Sequence, residues 1–243
     1  MKIFNVVLSL LSLCATSFAA GENAFPKTYK TGNLLIDITG SGVINLKYKD
    51  SKIIAVQNVW FMNEKWRNFA RKTGDILTVD VLNQDESAVD LKIKDIRQDF
   101  LKSFEEQVKL TEDSLYVSVD YEYSADIGQW HWPVYLFAEN FTGRKYRAKL
   151  ADGTSKEGII SEIVPDKIIY GLDNNNDIKE LTFCLEDFDL KFTFMENGWN
   201  LCDHRSVTWT RDPVLMLLNS TSGKKKGLKE HYSIKISIQP KKN

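Results

Sequence analysis

Ser114-Leu115-Tyr116-Val117-Ser118-Val119-Asp120-Tyr121-Glu122-Tyr123 puts Leu115, Val117, Val119, Tyr121 and Tyr123 on one side of an extended chain, with Ser118, Asp120 and Glu122 on the other. A helix would scatter these apolar residues around its circumference, whereas a strand with one buried face requires a period of two. Upstream, Ala88 to Ile96 alternates Val89, Leu91 and Ile93 against Asp90, Lys92 and Lys94. Leu35 to Ile38 and Val43 to Tyr48 flank Thr39-Gly40-Ser41-Gly42 and read as a hairpin. Ile53 to Trp60 and Ile76 to Leu82 follow the same habit. Downstream, Tyr146 to Leu150 runs to an Asp152-Gly153 turn, and Asp189 to Met195 runs to Asn197-Gly198 before Trp199 to Trp209 resumes. Pro213 to Leu218 and His231 to Ile238 close the chain. Gln98 to Val108 admits two readings: Phe100, Leu101, Phe104 and Val108 fall at helical spacing, and the stretch also reads as strand. Many short strands without βαβ alternation predict an all-β fold, a large antiparallel β-sandwich formed by residues 20–243 as one domain.

The N-terminus carries a different signal. Lys2, the apolar run Ile3 to Leu13 and the small-x-small ending Ser17-Phe18-Ala19 are the parts of a signal peptide spanning residues 1–19. The run is too short to span a bilayer, so the expected destination is secreted or periplasmic. Leu11-Ser12-Leu13-Cys14 offers a second reading as a lipoprotein anchored through Cys14, although Leu13 is bulkier than the small residue a lipobox places there. A net charge of −1 argues against a nucleic-acid partner and against a polybasic membrane anchor. No second apolar run suggests a transmembrane span, and nothing in the sequence specifies an oligomeric state.

Aromatic residues are the main functional hint. Trp130-His131-Trp132 places both tryptophans on one side of an extended segment, and Gly128 and Pro133 suggest a loop or strand entry where they are exposed. Sugar rings present flat C–H faces that pack on indole, so exposed tryptophans beside polar side chains suit a saccharide groove. The competing reading is core packing, since tryptophan is highly buried on average. Asp203-His204-Arg205 is the densest polar group; its carboxylate and guanidinium could grip hydroxyls, or form a cross-strand ion pair. The candidate ligand contacts are therefore Trp130, Trp132, Asp203, Arg205 and His204.

Other chemistry is weakly signposted. Asp173, Asn175 and Asp177 match three positions of a calcium loop, but Ile178 and Cys184 replace its glycine and glutamate, so a plain Asn-rich turn is expected. His131, His204 and His231 are too scattered to imply a zinc site by spacing, and no cofactor is expected. Asp120 and Glu122 could act as an acid–base pair or form an ordinary polar strand face. Cys184 and Cys202 could be bridged in an oxidising compartment or remain buried thiols. No phosphate loop, nucleophile elbow or HExxH motif occurs.

The hairpin within Gly32 to Tyr48, the strand Val117 to Tyr123 before an aromatic turn, and the late Trp199-to-Trp209 stretch carrying Asp203 and Arg205 together resemble the β-supersandwich of galactose mutarotase-like proteins and accessory domains of bacterial carbohydrate-active proteins. The resemblance is one of pattern, and assigns no counterpart to the histidines and glutamate of the mutarotase site. With no catalytic motif in place, the expected function is that of a secreted or periplasmic β-sandwich, noncatalytic, that binds a carbohydrate or similar polar ligand. A carbohydrate-active epimerase, lyase or hydrolase on the same fold is one alternative, and a structural or protein-interaction domain of the cell envelope is another.

Overall fold

Alternation along the sequence becomes strand after strand. The computed structural model describes residues 25–49, 51–57, 59–62, 77–95, 101–174 and 176–241. In chain order the strands are β1 (Lys27–Thr31), β2 (Leu34–Ile38), β3 (Ile44–Tyr48), β4 (Ser51–Val56), β5 (Trp60–Met62), β6 (Leu77–Gln84), β7 (Ala88–Asp95), β8 (Leu101–Thr111) and β9 (Ser114–Tyr123). The second half adds β10 (Ile127–Phe137), a one-turn helix α1 (Ala138–Phe141), β11 (Lys145–Leu150), β12 (Ser155–Ile159) and β13 (Ile178–Cys184). Then come β14 (Phe188–Phe194), β15 (Trp199–Asp203), β16 (Val214–Lys224) and β17 (Lys229–Pro240). With 65% strand and 3% helix, the protein is all-β. The signal segment, Cys14 and Trp66 lie outside the described residues.

Of the two readings of the Gln98–Val108 stretch, the part from Leu101 onward adopts the strand. Phe104, Val108 and Leu110 face inward with even parity, while a register shift between Leu101 and Ser103 turns Leu101 inward as well. An extra residue at a bulge thus produces the spacing of three that imitates a helix.

Among the described residues all strand pairings are antiparallel and build two sheets. The first has the order β1-β2-β3-β4-β10-β16-β15, with β5 also paired to β10; the second has the order β12-β11-β13-β14-β17-β9-β8-β7-β6. Their inner faces share one hydrophobic core, crossed by aromatic contacts. Trp130 of β10 stacks on Tyr232 of β17 at 4.3 Å, Trp199 of β15 on Phe194 of β14 at 4.4 Å, and Tyr48 of β3 meets Phe188 of β14 at 4.5 Å. These are the layers of a β-sandwich.

Pro133 is not at a strand entry but inside β10, a central strand. Proline there lacks a ladder donor and is normally confined to edges. Here β5 pairs with β10 at 129–131 and β4 at 134–136, so Pro133 falls in the gap between two successive partners. Its carbonyl still accepts from Gln57 N at 3.0 Å.

Candidate functional site

Alternation along β10, β15 and β16 divides their side chains between two environments. Trp130, Trp132, Val134 and Leu136 of β10, Trp199 and Leu201 of β15, and Leu215 and Leu217 of β16 enter the core. Gln129 and His131, Asn200 and Cys202, and Met216, Leu218 and Ser220 point the other way and line one depression of about 490 Å³. Cross-strand register orders this floor. Trp60, His131 and Ser220 form one row across β5, β10 and β16; Leu218 sits beside Asn200, and Met216 beside Cys202. Directly opposed residues on one face are close enough to touch a shared ligand.

Two connections wall the groove. Trp209 meets Trp60 at 6.2 Å, Tyr135 at 6.4 Å and His204 at 5.9 Å, all ring-centroid distances. On the other side Tyr170 makes an edge contact with His204 at 5.7 Å. Trp209 and Tyr170 are 55% and 66% exposed, so both offer aromatic surface to solvent.

Burial favours the neutral form of both histidines of the groove. Burial pushes His131 and His204 below the ordinary imidazole range; for His204 the Asp203 charge opposes the shift without reversing it. His131 Nε2 lies 3.2 Å from Gln129 Oε1, which places the proton on Nε2 and leaves Nδ1 as an acceptor. That Nδ1 and both ring nitrogens of His204 are buried without a hydrogen-bond partner among the described residues. Unmet polar atoms of this kind are costly to bury.

Of the sequence candidates, only His204 belongs to this groove. Trp130 and Trp132 are both 0% exposed, and the core alternative is the one the fold adopts. Strand parity turns them inward, where Trp130 packs on Tyr232 while Trp132 lies 5.7 Å from Trp199 and donates its Nε1–H to Gln57 O at 3.2 Å. They present no face to a ligand on the sheet surface. Asp203 and Arg205 are also buried, at 2% and 7% exposure, and are bound to each other. Arg205 Nη2 donates to Asp203 Oδ2 at 2.7 Å and Nε to Asp203 Oδ1 at 3.0 Å. The remaining donors go to backbone: Nη1 to Ser161 O at 2.7 Å and Nη2 to Ile163 O at 3.1 Å. Four of the five guanidinium N–H groups are engaged, so the pair anchors the segment that leads to Tyr170 and stands outside the groove.

The remaining sequence signals resolve into structural parts. Asp173 accepts a hydrogen bond from Tyr146 Oη, and Asp177 Oδ1 accepts from Gly198 N at 2.6 Å; Asn175 lies outside the described residues. Asp120 pairs with His231 at 2.9 Å and Glu122 with Lys102 at 2.8 Å, on the second sheet. Cys184 and Cys202 are free thiols in different sheets, β13 and β15, which is why they do not bridge. No helix among the described residues is long and apolar enough to cross a membrane.

Sequence reasoning missed the role of Trp60, Trp209 and Tyr170. Their signal was indirect: once Trp130 and Trp132 are assigned inward, parity sends His131 outward, and the aromatic residues that register brings beside it become the wall.

No protein-family model matches the sequence, and comparison with curated proteins finds no sequence match. Solved structures do resemble it. Galactose 1-epimerase from Lactobacillus acidophilus NCFM aligns with a TM-score of 0.60 at 7% identity, covering 88% of this chain and 94% of that one. The Slr1438 protein of Synechocystis sp. PCC 6803 aligns at 0.56 and 11% identity, covering 90% and 97%. An alpha-N-acetylgalactosaminidase from Bifidobacterium bifidum, solved in complex with GalNAc, aligns at 0.58 and 7% identity over 88% of this chain but only 36% of its own length. The fold is therefore the galactose mutarotase-like β-sandwich, shared with carbohydrate-active enzymes. At these identities the likeness extends to the fold alone.

Proposed function

We propose that the protein binds a saccharide in the groove on the outer face of its first sheet and does not transform it. The observation that supports this reading is the convergence of solvent-facing Trp209 and Tyr170 with Trp60, His131, Asn200 and Ser220 along one groove. Aromatic surface takes the apolar face of a sugar while amide and imidazole groups orient its hydroxyls. No carboxylate lines the groove among its described residues, so the reading assigns no acid–base pair of the glycosidase kind. Glycan-array screening followed by titration calorimetry tests it: Trp209→Ala and His204→Gln should each weaken binding about ten-fold or more, the range for losing one well-placed contact. Unchanged affinity in both variants would move the ligand elsewhere.

Catalysis is the second reading, favoured by the two neutral imidazoles, each able to accept a proton. Sugar turnover by the wild type that His204→Gln abolishes would select it. Export is part of the proposal and rests on the N-terminal segment; mass spectrometry should find a mature chain beginning at Ala20, and an intact Met1 would remove that part.

A further inference from the structure

Charge and polarity are unevenly placed on the groove floor. Its described lining contains no Lys, Arg, Asp or Glu. The nearby Arg205 is neutralised by Asp203 and otherwise donates to the carbonyls of Ser161 and Ile163. An anionic group entering the groove would lose its hydration and meet no compensating cation, a heavy penalty in a partly desolvated site.

The centre of the floor is apolar. Met216 lies beside Cys202, and Leu218 two residues further along the same face of β16. Polar groups surround this strip: His131 and Ser220 toward one end, Asn200 beside Leu218, and His204 toward the other end. A hydroxyl set against the Leu218 or Met216 side chain gains no hydrogen bond from it, whereas the amide of Asn200 stands beside Leu218 for a polar group at the edge of the strip. A methyl group at the same place gains contact and leaves nothing unpaired.

We propose that the groove selects an uncharged sugar carrying a methyl-terminated substituent, such as a 6-deoxy or N-acetyl group, an inference that rests on the saccharide reading above. His131 and His204, kept neutral by burial, are consistent with it, since they act as hydrogen-bond partners rather than as cations. The groups facing them are Gln129 and Trp60 for His131, and Asp203, Tyr170 and Trp209 for His204.

Titration calorimetry with methyl glycosides tests the inference in both the gluco and galacto series: the parent hexose, the 6-deoxy sugar, the N-acetylhexosamine and the uronic acid. A 6-deoxy or N-acetyl member should bind about ten-fold or more tightly than its parent, the discrimination typical of one apolar group in a fitted pocket. The uronic acid should bind more weakly than the parent. Leu218→Asn, checked for folding by its melting temperature, should shrink the preference toward unity; if this variant does not fold, the wild-type panel alone decides. Equal affinity for parent and substituted sugars, or tighter binding of the uronic acid, overturns the inference. The saccharide reading survives that result if Trp209→Ala still abolishes binding. Failure of every sugar to bind overturns both.

Discussion

The two faces of β10 carry neighbouring residues with opposite fates. Trp130 and Trp132 pack against Tyr232 and Trp199 in the core, while Gln129 and His131, one residue away along the backbone, line an open groove. Both faces are rich in aromatic contacts. The difference is what surrounds them: a second sheet on one side, and only short connections with two exposed rings on the other. Aromatic content therefore does not distinguish a sugar platform from a core, whereas the side of the strand does.

The largest expected break in this comparison comes from the inner face. Trp132→Ala deletes a fully buried indole and its bond to Gln57 O, and should cost about 3–5 kcal/mol of stability, read by chemical denaturation. A melting temperature unchanged by this substitution would contradict the inward assignment. Asp203→Ala should cost about 3 kcal/mol, because it leaves the Arg205 guanidinium buried without its countercharge. Trp209→Ala should cost below about 1 kcal/mol, as an exposed side chain, while removing ligand affinity. A large stability loss there would make Trp209 a core residue and blur the two faces.

The smallest effect concerns pH. In the unfolded chain His131 and His204 titrate near about 6.5, and burial holds both lower in the folded protein. Between those values the unfolded state binds more protons, so stability should be level above about pH 6.5 and decline as the pH falls toward the folded values. Denaturation midpoints from pH 7.5 downward should show this fall, and His131→Gln with His204→Gln should flatten it. An equal slope in the double variant would assign the acid sensitivity to carboxylates instead.

The fold was legible because strand parity is local: Leu115 to Tyr123 and Ala88 to Ile93 bury the faces their alternation predicts. Turns were legible where φ is positive, as at Gly153 and Gly198 after Asp152 and Asn197. Parity does not, however, say which side of a strand meets the other sheet, so Trp130-His131-Trp132 could be paired correctly and still turned the wrong way. Pro133 reinforced the error, since the gap between β4 and β5 that accommodates it depends on three strands distant in sequence. The Asp203–Arg205 pair was visible as a pair, but the carbonyls of Ser161 and Ile163 that complete it lie about forty residues away.

That clamp also bears on the edge of the first sheet. β15 is the last strand of the first sheet, and an open strand edge is a template for strand addition by another chain. Ile169 closes part of it with two backbone hydrogen bonds to Asp203, of 3.1 and 2.8 Å, and Arg205 fixes the approach to that bridge from Ser161 and Ile163. Releasing the clamp would bare hydrogen-bonding backbone next to the exposed apolar side chains of Ile163, Val164 and Tyr170. The buried ion pair thus holds in place the segment that covers part of the β15 edge.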